Sequence, residues 1–509
     1  SRMRSRGSSP LLVLCGLVAC AQLGAAIGIF GKRSGAHHAQ PKSFSKVRSE
    51  PLHLSDLLEN GKSTEEIRSA AEVHMGGRIT FSGFFKTART VDRNMFFWFF
   101  PAMNNDSDAP LVIWLQGGPG GSSLFGNFHE IGPWALARGP NGDVVLQPRK
   151  VTWNERYSLL FIDNPVGAGF SYTTSQDGYC RTEEEVAESL FSVLAQFYAV
   201  FPKQKHVDLY LTGESYAGHY LPAFAFHIVS VNSKLAPESR VPLKGVAIGD
   251  GWIDPINMLP AYAPMLLSMG LAGAKEAAVL KDYTDRIGAA IEATQMELAF
   301  RIWDEMINGD LFPYGSYFYN LTGSTDYDNC LNTNAPPELE LYGEFLNQAW
   351  VREALHVGNV PFGLNASDCE KHLVADFMRS MLPELQAIIP HTKVLVYSGN
   401  LDIIVGAPLT ENFISRLAFA GSELFHAAPR KQFRTLGSPE QVSGYVRHSE
   451  QFTHAVIRNA GHLLPHDQPA RAMDLITRFI ETEQGWCECQ PCESPAICCP
   501  APPNAPQLC

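Results

Sequence analysis

Leu111-Val112-Ile113-Trp114-Leu115 is an unbroken apolar run that stops at a glycine-rich loop, the pattern of a strand buried on both faces. Ser158 to Ile162, Asp208 to Thr212, Gly245 to Ile248, Lys393 to Tyr397 and Ala455 to Ile457 repeat it. Amphipathic helical stretches separate several of these runs, and that alternation predicts a mostly parallel sheet of the α/β class. The clearest helix spans Glu183 to Val200. Thr182 and Glu185 form a capping pattern at its start. Val186, Leu190, Val193, Leu194, Phe197 and Phe201 recur at helical spacing, with Glu184, Glu188 and Gln196 on the other side. Core packing is all that stripe requires. Ahead of the first buried run, Ile79-Thr80-Phe81 and Met95 to Phe100 predict antiparallel strands at a sheet edge.

From about Asp254 to Leu382 the strand rhythm stops. Met258 to Asn308 is helical in pattern, and a loop rich in Tyr, Asn and Gly follows from Gly309 to Pro336. The chain therefore divides into a first core part at 51–253, a largely helical lid insertion at 254–382 and a second core part at 383–486. The insertion is expected over the C-terminal edge of the sheet, where α/β folds bind ligands. Residues 27–50 are polar and predicted irregular. The last segment, 487–509, holds Cys487, Cys489, Cys492, Cys498, Cys499 and Cys509 among six prolines and cannot continue a helix or sheet. Cys489-x-x-Cys492 alone does not make a zinc site, since no histidine lies nearby, so no metal is expected.

The ends change the picture of where the chain works. Arg2, Arg4 and Arg6 precede a short apolar run from Leu11 to Val18, and Ala19-Cys20-Ala21 or Gly24-Ala25-Ala26 supplies a cleavage pattern. Residues 1–26 are therefore expected to be a secretory signal, and no later run reaches the roughly 18 apolar residues of a bilayer span. That places the chain in the secretory pathway, lysosomal, endosomal or extracellular, with no stable membrane anchor. Asn105, Asn320 and Asn365 head N-x-[ST] sequons and are candidates for glycosylation. The body keeps Cys180, Cys330 and Cys369; a Cys330–Cys369 bridge with Cys180 unpaired is the expected arrangement. A hydrophobic content of 45% describes a large core, and the net charge of −12 with no basic stripe excludes a nucleic-acid partner. A homodimer is left open.

The strongest chemical signal is Gly213-Glu214-Ser215-Tyr216-Ala217-Gly218, which follows a buried strand and enters a helix-compatible segment. This is the setting of a nucleophile elbow, where the flanking positions must be small because their side chains would collide; Ala217 stands where the usual G-x-S-x-G has glycine. A serine needs a base and the base an orienting acid. Asp402 follows the Val394–Tyr397 strand and His462 follows the strand ending at Ile457, on the same predicted edge and in the Ser–Asp–His order of α/β-hydrolases. His466 is the rival base, but it sits between Pro465 and Asp467 at a helix entry. Oxyanion donors are expected at the glycine loop Gly117 to Gly121, through Gly118, and at the Tyr216 amide. The same glycines resemble a phosphate loop, yet no Gly-Lys-Ser/Thr follows and Pro119 lacks an N–H.

Together these motifs resemble the serine carboxypeptidase family. Trp114 to Ser123 follows W-L-N/Q-G-G-P-G-x-S-S, Asp163 to Tyr172 follows D-x-P-x-G-x-G-F-S-Y, and Gly213 to Gly218 is G-E-S-Y-A-G. Gln116, Gly121, Ile248 to Trp252 and Leu401 to Val405 look most like the vitellogenic carboxypeptidase-like branch. The resemblance implies an α/β-hydrolase that releases C-terminal residues from peptides or proteins, needs no cofactor, and uses Ser215, Asp402 and His462 as its catalytic set. It also implies that Gln116, Gly117, Glu130 and Glu214 bind the substrate carboxylate. Two glutamates facing a carboxylate must share a proton, so peptide cleavage is expected to favour acid. Gln116 replaces the usual Asn and keeps the amide donor. Gly121 replaces a cysteine that anchors the insertion in many members, which leaves that anchorage open. An esterase or acyltransferase, and a non-catalytic binding or chaperone protein, are the alternatives on the same scaffold.

Overall fold

The alternation of buried runs and helices resolves into a single sheet of eleven strands plus one separate hairpin. The computed structural model describes residues 50–88, 90–363 and 366–482. β1 (Glu72–Met75), β2 (Arg78–Lys86), β3 (Asn94–Phe100), β4 (Leu111–Leu115), β5 (Trp134–Arg138), β6 (Val144–Pro148) and β7 (Ser158–Ile162) come first. β8 (Leu209–Glu214), β9 (Leu243–Gly249), β10 (Lys393–Gly399), β11 (Lys431–Phe433), β12 (Gly444–Ser449) and β13 (Phe452–Ile457) complete the set. The sheet order is β1-β2-β3-β7-β4-β8-β9-β10-β13-β12-β11, and β5 pairs only with β6. Strands β7, β4, β8, β9, β10 and β13 run parallel. The flanking strands are antiparallel, as the alternating edge runs predict.

Every residue of β4 is buried because both faces of the sheet are covered. Leu111, Ile113 and Leu115 point into one apolar cluster, and Val112 and Trp114 into the other. The first cluster takes the helices Glu183–Val200 and Ala217–Asn232, the second the C-terminal helix Pro469–Glu481. The Glu183–Val200 helix has the predicted bounds and buries Val186, Leu190, Val193, Leu194 and Phe197. Thr182 caps it by accepting the Glu185 N–H at 3.4 Å, while the Glu185 carboxylate turns back to the Arg181 N–H at 2.8 Å.

No strand interrupts the chain between β9 and β10 among the described residues. The segment instead carries the helices Pro255–Met258, Tyr262–Ser268, Ala274–Glu292 and Met296–Trp303. The predicted 309–336 loop contains one further helix, Tyr317–Thr322, capped by Ser316 at 3.2 Å and closed by Gly323 at φ +71°. Residues 337–357 do something a simple cover would not. Leu341, Phe345, Val351 and Leu355 join the apolar cluster of Val112 and Trp114, and the segment is pinned to the first strands. The Leu52 N–H reaches the His356 carbonyl at 3.0 Å and the Ser82 hydroxyl the Leu355 carbonyl at 2.9 Å.

The expected Cys330–Cys369 bridge is corrected: among the described residues Cys330 and Cys369 are free, and Cys180 is unpaired as expected. The fold holds Cys330 beside the Asp402 loop, its N–H on the Leu401 carbonyl at 2.9 Å. Cys369 is buried on the helix Ala366–Leu373, where burial and the neighbouring Cys180 thiol raise its pKa. Asn105 and Asn320 are exposed. Asn365, the expected signal at 1–26, residues 27–49 and the 487–509 tail lie outside the described residues. No described helix is long and apolar enough to cross a membrane.

Leu190 has no exposed surface and belongs to the apolar cluster under the Glu183–Val200 helix. Leu190→Ala is expected to lower unfolding stability by about 2–5 kcal/mol through cavity formation, read by denaturant titration.

Candidate active site

In the sheet order, β8, β9, β10 and β13 are consecutive neighbours, and the loop after each delivers one polar residue to a shared region. Ser215 comes first. It stands between β8 and the helix Ala217–Asn232 with φ +63°, a left-handed conformation that disfavours any side chain and is held here by three backbone hydrogen bonds. The Ser215 N–H donates to Gly249 at 3.0 Å, and the Ser215 carbonyl accepts from Gly218 and Trp252, each at 2.9 Å. Gly213 is required by this turn: a Cβ there would lie 2.2 Å from the Leu115 carbonyl and 3.0 Å from the Ala217 Cβ. The crowding anticipated from the motif is thus the reason both positions are small.

Asp402, wholly buried, lies with Oδ2 2.8 Å from Nδ1 of His462, and its Oδ1 accepts the Val405 N–H at 3.0 Å. The carboxylate fixes the tautomer: Nδ1–H donates to Asp402, leaving Nε2 free for a proton from serine. Burial alone would lower the imidazole pKa, but Asp402 outweighs it and the net shift is upward. The His462 N–H donates to the Asp328 carbonyl at 2.6 Å, and the preceding Gly461 N–H to Asp467 at 2.7 Å. Ser215 and His462 line one cleft with no hydrogen bond between them, the looser spacing common before substrate is bound. His466 is elsewhere: its Nδ1 faces the His129 carbonyl at 3.1 Å on the short helix Leu464–Asp467.

The glycine loop approaches the serine from β4. A Cβ on Gly117 would fall 2.5 Å from the Tyr216 nitrogen and 2.6 Å from the Ser215 Cβ, so only glycine allows this contact. Gly118 and Tyr216 line the same cleft as Ser215. Trp252, Trp303 and Phe377 form an apolar wall, and Asp310 and Asp328 add carboxyls to the lining. The loop is braced from below: Ser122 and the Phe170 N–H both donate to Asp163, at 2.6 and 2.8 Å, which gives the second sequence motif a structural role.

Glu130 and Glu214 are both buried. Gln116 donates to Glu214 Oε1 at 2.7 Å and accepts from the Trp114 indole at 3.0 Å, so the longer amide is held from both ends. Burial pushes both carboxyls up, Glu130 to about 8 and Glu214 well above the usual carboxylate range; both Glu130 oxygens and Oε2 of Glu214 are buried without a donor among the described residues. Two buried carboxyls in this arrangement hold a proton between them. Glu130 sits on the helical turn Gly126–Ile131, whose carbonyls are gathered by Arg149, a donor to Phe128, His129 at 3.2 Å and Gly132 at 3.0 Å.

The predicted residues Ser215, Asp402, His462, Gly118, Tyr216, Gln116, Gly117, Glu130 and Glu214 therefore converge. Sequence reasoning misses Arg149, Asp328 and Asp467, for which only partners distant in the chain carry a signal. It also misses Asp250, visible only as part of a motif. Asp250, Asp402 and His462 are buried and bring ligand-type atoms within 4.8 Å of one another. Because His462 Nδ1 is already bonded to Asp402, the trio forms a proton network and not an open metal site.

The sequence model of the family described as serine carboxypeptidase, peptidase S10, matches residues 76–482. The probable serine carboxypeptidase CPVL of Mus musculus is 40% identical over 447 residues, covering 87% of this chain and 92% of that protein. The venom serine carboxypeptidase of Apis mellifera is 39% identical, with 85% and 91% covered. The vitellogenic carboxypeptidase of Aedes aegypti is 36% identical, with 84% and 90% covered. Among solved structures, KEX1(delta)p, a prohormone-processing carboxypeptidase from Saccharomyces cerevisiae, superposes with a TM-score of 0.69 at 22% identity, covering 79% of this chain and 91% of that one. That likeness shows the α/β-hydrolase fold. A motif set, a strand-end geometry and relatives spanning most of both chains agree, and the chain belongs to the serine carboxypeptidase family.

Proposed function

We propose that Ser215, His462 and Asp402 carry this family's hydrolysis of peptide bonds in the chain, removing residues from peptide and protein C-termini through an acyl-enzyme. Ser215 attacks the last peptide carbonyl while Nε2 of His462 takes its proton. Asp402 orients the imidazole and stabilises the imidazolium. The Gly118 and Tyr216 amides receive the oxyanion, and His462 then protonates the departing amino acid. Water, activated by the same imidazole, releases the acyl group. The helices between β9 and β10 cover the cleft.

The observation that carries the exopeptidase reading is Glu214, which lines the cleft with Ser215, is steadied by Gln116 and has the buried Glu130 carboxyl as its neighbour. A protonated pair donates a hydrogen bond to a substrate carboxylate; an ester or lipid substrate has no use for it. The sign follows directly. Below the pair's titration, at about 8 for Glu130, the proton is present and the carboxylate binds. Above it, a further negative charge faces the substrate and binding weakens, so peptide cleavage favours the acid side. The apolar segment at 11–18 and the exposed sequon residues Asn105 and Asn320 support passage through the secretory pathway, with a lysosomal, endosomal or extracellular destination.

Ser215→Ala is expected to lower turnover of an N-blocked peptide by about ten-thousand-fold or more with the fold unchanged, followed by mass spectrometry of released residues. Substantial residual hydrolysis would remove Ser215 as nucleophile. KM for the same peptide should rise about tenfold per pH unit above the titration of the glutamate pair. C-terminally amidated peptides and esters should show no such rise. Glu214→Gln keeps a hydrogen-bond donor that does not titrate, and should flatten the peptide profile while leaving the ester profile alone. Parallel pH profiles for peptide and ester in the wild type would defeat the shared-proton argument.

A further inference from the structure

We propose that Asp250 is held as a neutral carboxylic acid that donates its proton to Asp402, making it a positioning residue that sets the strength of the Asp402–His462 pair. The inference rests on reading Ser215, His462 and Asp402 as the catalytic set. Asp250 follows β9 in a left-handed conformation, φ +43°, and has no exposed surface. The end of β10 clamps it there: its N–H donates to the Tyr397 carbonyl at 2.7 Å and its Oδ1 accepts the Gly399 N–H at 2.8 Å. Its Oδ2 receives no donor among the described residues, although it is buried and its neighbour is the carboxyl of Asp402.

Two ionised carboxylates cannot share so dry a site, because their repulsion is barely screened and neither charge is hydrated. One proton between them turns the repulsion into a hydrogen bond. The donors already present decide which group holds it. Asp402 already accepts from the Val405 N–H and from His462, one on each oxygen. Asp250 accepts from a single N–H and is the better place for the proton. Burial first, and then the Asp402 charge, keep the Asp250 pKa well above the usual carboxylate range. The other titratable groups facing this site are Glu214, the Tyr397 hydroxyl and His462.

The consequence reaches the reaction through the imidazole. A third hydrogen bond, from Asp250, fixes the Asp402 carboxylate in the orientation that receives Nδ1 of His462. Loss of the Asp250 proton would add a second negative charge within 4.8 Å of the imidazole network and hold the proton on His462 more tightly, making it a poorer base toward the serine.

The test measures kcat and KM for an ester without a free carboxylate, so the glutamate pair has no substrate carboxylate to bind, across about pH 5 to about pH 10, with Glu214→Gln as the background that removes its titration. Wild type, Asp250→Asn and Asp250→Ala are compared, with thermal unfolding as the folding control. Asparagine offers a carbonyl to Gly399 and an N–H to Asp402, reproducing the neutral acid without its titration. Asp250→Ala should lower kcat about 10- to 100-fold with KM nearly unchanged, the effect of one lost hydrogen bond to a charged group. Wild type should show an alkaline decline in kcat, and Asp250→Asn should recover kcat to within about threefold of wild type and lose that decline. A second readout needs no turnover: the infrared difference between wild type and Asp250→Asn should contain the carbonyl band of a protonated carboxylic acid. Asp250→Asn as impaired as a folded Asp250→Ala, an alkaline decline unchanged in Asp250→Asn, or a carboxylate band in place of the acid band would each overturn the proposal. A wild-type protein that hydrolyses neither ester nor peptide would instead defeat the catalytic reading, and the infrared band would still decide the state of Asp250.

Discussion

Four carboxyl groups, Glu130, Glu214, Asp250 and Asp402, are buried at the catalytic edge of the sheet, with no exposed surface above 1% on any of them. Desolvation forbids leaving all four charged, and much of the local architecture follows from that. The groups are grouped in pairs. Glu130 and Glu214 are neighbours on the side of Gln116, and burial raises the pKa of both. Asp250 and Asp402 meet behind His462, where donors from Val405 and Gly399 separate their roles. The adjacency of β8, β9, β10 and β13 is what brings residues from four loops within reach of each other, so the sheet order is a condition of the chemistry.

Much of this is legible in the sequence because both buried strands and the elbow leave local marks. The bounds of β4 and β7 and of the Glu183–Val200 helix coincide with their apolar patterns, since a strand covered on both faces or a helix on one core has only one way to place its side chains. Ser215 is marked by its small neighbours, because the clash at Gly213 is a property of the local turn. The β5–β6 hairpin is not legible: its residues beyond Trp134 and Val144 are only half-buried or exposed and carry no clear alternation. Arg149 gives no signal either, since its partners are the carbonyls of a turn seventeen to twenty-one positions away. Asp250 shows the sharper limit. Its motif is conspicuous, but its meaning depends on a carboxyl contributed by the next strand.

The missing cysteine at Gly121 raises the question of how the insertion stays in register with the catalytic loops. Covalent anchorage is not what the described residues use, for Cys330 and Cys369 are free. Backbone bonds from one short stretch of the insertion do that work. The Tyr327 carbonyl accepts from both Ile403 and Ile404 at 3.1 Å, the Cys330 N–H donates to Leu401 at 2.9 Å, and the Asp328 carbonyl accepts from His462 at 2.6 Å. Asn329 adds its amide to Asp467 at 2.9 Å, the carboxylate that also holds Gly461. Residues 327–330 thus clamp the loop of Asp402 and the loop of His462 to the same piece of chain. An insertion attached in this way cannot swing clear of the cleft without loosening the geometry between Asp402 and His462. The cover and the catalytic pair are therefore mechanically one unit, and changes in the lid that shift Tyr327 or Asp328 act on the chemistry as well as on access.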